Sequence, residues 1–238
     1  MQINPDDPLW PQAPFPVSEL NQTILFTWVV MLVLTVGSWL VTRRLTTGTR
    51  LSRGQNLLEV LVSGLRTQIR DVSQQDPGPF LPFVGTIFLF TAMSTLLGVI
   101  PGYIPPTGSL STTAALATCV FVAVPLYGIA SQGVGSYLRQ YLRPTFLMLP
   151  FNIIGELSRT LALAVRLYGN MMSGTVIAAI LISFVPFFVP VVMQLFGLLT
   201  GMIQAYIFAV LAMVYIASAT RAHHRQTEHS RPDDRSAS

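Results

Sequence analysis

Glu156-Leu-Ser-Arg159-Thr-Leu-Ala-Leu-Ala-Val-Arg166-Leu-Tyr-Gly-Asn170-Met-Met-Ser173-Gly174 opens a stretch, Leu157–Leu181, that is otherwise almost wholly apolar. It is long enough to cross a bilayer. Arg166 lies well inside it, where a charge costs about 2.5–3.5 kcal/mol on insertion scales. On a helix, Glu156, Arg159, Arg166, Asn170 and Ser173 are spaced by three, seven, four and three residues and form one polar stripe. A charge in such a position faces a partner or a water-filled path. The bland alternative is that Arg166 pairs with Glu156 and only fixes packing.

Working outward, the chain is 51% hydrophobic and only 10% charged, and several of its apolar runs approach or exceed eighteen residues. The expected fold is therefore an all-α integral membrane protein. Five spanning helices are expected, at about 21–41, 80–100, 112–129, 153–183 and 191–219. One amphipathic interfacial helix is expected at about 56–72, with Leu57, Val60, Leu61, Leu65 and Ile69 on its apolar face. A helix of about 28–30 residues rises about 42–45 Å against a hydrocarbon core of about 30 Å. The last two helices are thus expected to be long and strongly tilted.

Residues 1–20 are rich in proline and acidic, and are expected to be an extended segment outside the membrane domain of 21–220. Residues 221–238 form a polar tail holding His223, His224 and His229. All basic residues are arginines, and all but Arg159 and Arg166 fall in 43–70, 139–143 and 221–235. The opposite loops carry none. This bias predicts an outside N-terminus and a cytoplasmic C-terminus, in a bacterial inner membrane. It also explains the basic excess without nucleic acid. Cys119 is the lone cysteine, so no intramolecular disulfide or cysteine metal site is expected. No cofactor or metal is expected.

On the last helix, Gly197 and Gly201, followed by Ala205, invite close helix approach. Gln204 and Phe208 share nearly the same face.

These residues resemble subunit a of the membrane (Fo) sector of rotary F-type ATP synthases. Arg166-Leu-Tyr-Gly-Asn-Met-Met-Ser-Gly174 resembles that family's arginine signature, and Pro150-Phe-Asn-Ile-Ile-Gly-Glu-Leu-Ser-Arg159 its lead-in. Ile203-Gln-Ala-Tyr-Ile-Phe-Ala-Val-Leu-Ala-Met-Val-Tyr-Ile216 is similar to its last helix. Leu97-Gly-Val-Ile-Pro-Gly102 with Pro105-Pro-Thr107 is similar to its central hairpin. The resemblance spans roughly Arg53 to Ala219.

It implies a stator ion-channel subunit, with no ATP site of its own, working against a ring of c subunits. The peripheral-stalk b subunit, other ATP synthase subunits and lipid are the further partners implied. Arg166 would be the essential arginine and Gln204 its polar neighbour. Asn170, Ser173, Thr175, Glu156 and Arg159 would line or flank two aqueous half-channels. Gly197, Gly201, Ala205 and Phe208 would face the ring.

The sequence departs from the family where relatives commonly carry titratable groups: Thr175 follows the motif glycine, and Gly197 precedes the glutamine by seven residues. Thr160 stands where a proline often follows Arg159, and Ser109 where some relatives have Asp. These changes point to a divergent bacterial branch that conducts protons, or sodium, through water and neutral side chains.

Two other functional classes fit these residues less well. An intramembrane hydrolase needs a nucleophile with a base or a metal, and the spans hold no His or Asp. A secondary ion transporter with an intramembrane arginine is the alternative, although no internal repeat is visible.

Overall fold

The computed structural model describes residues 21–43, 53–100, 102–135, 148–184 and 189–221. The expected outer segment 1–20, the arginine-bearing loop with Arg139 and Arg143, and the tail beyond Arg221 lie outside the described residues.

Among the described residues six longer helices follow one another. They are α1 (Gln22–Thr42), α2 (Arg53–Ser73), α3 (Leu81–Leu97), α4 (Leu110–Gln132), α5 (Met148–Phe184) and α6 (Val189–Arg221), with a short 3-10 turn at Pro106–Gly108. No strand occurs among the described residues, and the protein is an all-α membrane protein. Helices α1, α4, α5 and α6 are long and apolar enough to cross a bilayer, while α3 is a 17-residue apolar helix. Gly98, Val99 and Ile100 then bond back to Thr95, Leu96 and Leu97 carbonyls at 3.0, 3.3 and 2.9 Å. This tightened turn carries the apolar element to Ile100.

The last two helices are longer than their sequence pattern indicated. Helix α5 begins at Met148 rather than near Ile153, with Pro150 in its first turn, where a missing N–H removes no intrahelical bond. Glu156 therefore lies inside the helix, not at its start. Helices α5 and α6 hold 37 and 33 residues, so they rise about 55 and 50 Å. Ser109 caps α4 by accepting the Ser111 N–H at 3.2 Å, and Gly133, at φ +79°, ends it. Pro125 sits within α4 without ending it.

Helix α3 packs along α6, α4 lies against both α5 and α6, and α5 lies against α6. Their shared core includes Val84, Ile87, Val120, Leu163, Leu167 and Phe208. In hydrocarbon every polar group must find a partner inside the protein. Serine and threonine hydroxyls accordingly donate to carbonyls one turn back, as in Thr27 to Thr23 and Thr118 to Ala114 at 2.7 and 2.8 Å.

Helix α2 is docked over only part of its length. Ile69 and Ser73 are buried, and Leu65 packs beside Gly85 of α3. Val60 and Leu61 stay exposed. The Tyr206 hydroxyl of α6 donates to Gln68 Oε1 at 2.7 Å and ties the two helices together. Helix α1 is peripheral: it touches α3, the 3-10 turn and α2, and leaves Trp28 72% exposed.

Candidate functional site

Helix α5 has a buried seam and an open face. Leu163, Ala164 and Leu167 turn inward; Leu157, Leu161 and Val165 are exposed, and Arg166 is exposed beside them. Arg166 makes no hydrogen bond or ion pair among the described residues. Its guanidinium is thus not consumed by the packing of this chain, and no Glu156 pair holds it. Ten residues separate Glu156 from Arg166, about 15 Å along the helix.

Two cavities lie at opposite ends of the α5–α6 pair, one on each side of Arg166 along α5. The first, of about 340 Å³, is lined by Asn152, Glu156, Arg159 and Thr160 of α5 and by Tyr215 and Ser218 of α6. The Arg159 guanidinium carbon stands 6.0 Å from the Tyr215 ring centroid, at the outer reach of a cation–π contact. The second cavity, of about 310 Å³, is lined by Asn170 and Thr175 of α5, Gln194 and Gly197 of α6, and Thr95 and Tyr103 from the α3 side. Gln194 Nε2 donates to the Gly98 carbonyl, pinning the start of α6 to the end of α3.

The stripe expected along α5 is therefore divided between two chambers. Glu156 and Arg159 fall in one; Asn170 and Thr175 fall in the other with Gly197. Ser173 lines neither cavity. It is exposed, and its hydroxyl donates to the Gly169 carbonyl at 2.6 Å.

Three of the four α6 residues expected to face the ring are buried within this chain. Ala205 is fully buried, Phe208 is 1% exposed, and Gly201 is pressed against Thr95. The small residues let α3 approach closely, so they face this chain's own interior; of that set only Gly197 is exposed. The outward apolar stripe of α6 is instead Val191, Leu195, Leu199 and Ile203, at four-residue spacing. Gln204 also points inward. It is 5% exposed, its Nε2 meets no partner, and it makes no hydrogen bond to Arg166.

Sequence reasoning missed the α3 side of the second cavity. The signal was present: Thr91, Ser94 and Thr95 recur at three- and four-residue spacing in an apolar helix. Tyr103, in the α3–α4 turn, stacks edge-on against Phe26 with centroids 4.8 Å apart. Burial pushes its phenol above the ordinary value, while the Ser94 hydroxyl pulls the other way. Tyr103 Oη nevertheless meets no partner at hydrogen-bonding geometry, and the burial effect is the one that prevails.

The profile of the ATP synthase A chain family matches residues 24–217. ATP synthase subunit a 2 of Acaryochloris marina is 60% identical over 96% of this chain and 97% of its own length. ATP synthase subunit a of Albidiferax ferrireducens is 59% identical over 96% of this chain and 98% of its own. ATP synthase subunit a 1 of Chlorobaculum parvum is 57% identical over 95% of this chain and all of its own. With its apolar helices and this match over nearly its whole length, the chain belongs to the ATP synthase A chain family, as an integral-membrane ion-channel subunit that works with the other subunits of a rotary ATP synthase.

Proposed function

We propose that Arg166 is the fixed charge at which ring carboxylates exchange their ion, and that the two cavities are its aqueous approaches from opposite sides of the membrane. The observation that carries this reading is an exposed arginine, unpaired among the described residues and positioned along α5 between two cavities that each hold polar side chains. A carboxylate on a ring of c subunits is the missing counter-charge. The exposed stripes around Leu161 and Val165 on α5 and Leu195 and Leu199 on α6 are the ring-facing surface, in place of Gly201, Ala205 and Phe208.

The energetics fit that role. A carboxylate 4 Å from Arg166 at an effective dielectric near 20 gains about 4 kcal/mol, or about three pKa units. The carboxyl pKa falls beside the arginine, so the site releases its ion there and reloads after leaving. One charge crossing about 150 mV gains about 3.5 kcal/mol, which offsets most of that attraction. Arginine suits the position because it stays charged where a desolvated lysine loses its proton.

Neutral groups at Thr175 and Gly197 leave the second cavity without a carboxylate or imidazole, so conduction there uses water and neutral side chains. Glu156 and Arg159 serve the first. The arginine bias puts the first cavity on the cytoplasmic side of a bacterial inner membrane, with the N-terminus outside. A peripheral-stalk b subunit holds the whole against ring rotation. The ion is a proton or sodium.

The test is ATP-driven ion pumping and passive leak in vesicles carrying the reconstituted complex. Arg166→Ala is expected to assemble, lose coupled pumping and leak passively; Arg166→Lys is expected to pump poorly. Normal pumping by assembled Arg166→Ala complexes would refute the role of Arg166.

A further inference from the structure

Pro125 has a consequence outside α4 itself. Its ring nitrogen carries no hydrogen, so the Phe121 carbonyl one turn back has no intrahelical donor. Phe121 lines the first cavity with Val120 and Val124 of α4 and Phe151 of α5. That side is apolar apart from the carbonyl. The other side carries Glu156 and Arg159 of α5 and Ser218 of α6. Phe151 is 67% exposed, so the cavity reaches the outer surface of the protein. Its volume of about 340 Å³ falls within the span of small-ligand pockets, about 300–1,000 Å³.

Arg159 is a charge in this cavity without a counter-ion. It is exposed and makes no hydrogen bond or ion pair among the described residues. The Tyr215 ring, with its centroid 6.0 Å away, neutralises nothing. Arg166 is the central residue of the 37-residue α5, and Arg159 precedes it by seven positions. Those seven residues span about 10.5 Å, while half of a hydrocarbon core is about 15 Å. The Arg159 backbone therefore lies within the apolar slab, and its long side chain reaches towards headgroup level.

We propose that this cavity binds an anionic phospholipid with a glycerol headgroup, drawn from the leaflet at the start of α5. Its phosphate pairs with Arg159, its headgroup hydroxyls donate to Glu156 and to the Phe121 carbonyl, and an acyl chain lies along Phe151. Basic pockets between spanning helices are where anionic headgroups bind. Glu156 decides the headgroup. A carboxylate repels a bare phosphate but accepts several hydrogen bonds, so a ligand needs hydroxyl donors beside its anion. A choline headgroup has none and would bring a second cation to Arg159.

The lipid also acts on transport, and that part rests on the reading of the first cavity as an ion approach. An uncompensated Arg159 repels a cation on its way to or from Arg166. The phosphate cancels that charge, and the acyl chain closes the bilayer side of the chamber.

The test uses the complex reconstituted in phosphatidylcholine vesicles with a trace of phosphatidylglycerol carrying a diazirine on its acyl chain. After illumination, labelled residues are read by peptide mass spectrometry. Label is expected in residues 120–124 and at Phe151, displaced several-fold by excess unlabelled phosphatidylglycerol. A matching phosphatidylcholine probe is expected to label these positions several-fold less. Arg159→Gln should cut the label several-fold, and Arg159→Lys should keep most of it. Equal labelling by the two probes would mean ordinary boundary lipid and overturn the proposal. Displacement by glycerol phosphate would assign the site to a free anion and overturn it too. Absence of label from both positions in the unsubstituted complex overturns it without any variant, so a failure of Arg159→Gln to assemble does not leave the question open.

Raising phosphatidylglycerol is expected to raise pumping several-fold in the unsubstituted complex and not in Arg159→Gln; an equal response in both overturns the transport role. Labelling does not depend on pumping. Label at Phe151 with normal pumping by Arg166→Ala would sink the ion-exchange reading and leave the lipid site; no label with pumping abolished by Arg166→Ala would do the reverse.

Discussion

Gly201 of α6 packs so tightly on Thr95 of α3 that a methyl group on the glycine would stand 2.9 Å from Thr95 Oγ1 and overlap its Cγ2. The obstruction is a side chain, so Thr95 must turn or the helices must part. Overpacking of this kind costs about 1–3 kcal/mol. Gly201→Ala is expected to lower the thermal stability of the detergent-solubilised subunit, and Thr95→Ala in the same chain to restore it. Unchanged stability in the single variant would mean the two helices are not held at this distance.

The Tyr206–Gln68 hydrogen bond is a side-chain link between the interfacial helix α2 and α6. A neutral bond of this type contributes about 0.5–1.5 kcal/mol. Tyr206→Phe should release the exposed end of α2, and a spin label at Leu61 should become more mobile. Gln68→Leu added to Tyr206→Phe should cause little further change. Additive effects of the two substitutions would show that the residues act separately.

Space for a side chain at Gly197 is open: no atom lies within 4 Å of the Cβ position. Gly197→Leu therefore folds, and fills part of the cavity shared with Asn170 and Thr175. Ion flux should fall several-fold while Gly197→Ala stays near the unsubstituted rate. Full flux in the leucine variant would remove Gly197 from the path.

Tyr103 gives a pH signature outside the spans. Its phenol is raised above the ordinary 10.0, so the folded chain holds that proton more tightly than the unfolded one. The stabilisation is complete below the ordinary value and is lost as pH climbs through the raised one. Tyr103→Phe should flatten the alkaline fall in melting temperature. An identical fall in both proteins would assign it elsewhere.

Topology is checked with tags. A tag beside His223 should be reached from the cytoplasmic side and one beside Asp6 from the other. Exposure of both on one side would overturn the orientation.

The all-α membrane fold was legible because run length and the clustering of most arginines between the apolar runs are one-dimensional signals. The polar stripe of α5 was legible for the same reason: Arg166 stands out in an apolar run whatever surrounds it. The inner face of α6 was not. Its apolar residues encircle the helix, so periodicity cannot choose a side. Gly201 and Ala205 read equally well as a smooth outer surface or as a groove for a neighbour, and Thr95 decides between them. Along α2 the spacing alone does not tell which apolar positions pack on protein: Val60 and Ile69 lie on one apolar face, yet Ile69 is buried and Val60 is exposed. The boundary of α5 slipped because Pro150 reads as a stop, yet a proline in the first turn is compatible with a helix start.

The exposed guanidinium of Arg166 also bears on how the complex is built. A lone subunit in lipid carries that charge at a penalty of about 2.5–3.5 kcal/mol or more. An anionic partner seated against α5 would relieve that penalty. The unassembled subunit is thus costlier to hold in lipid than the assembled one. Selection for prompt docking and selection for turnover coupling would then fall on one side chain, and a substitution that abolishes transport should at the same time prolong the life of the orphan chain.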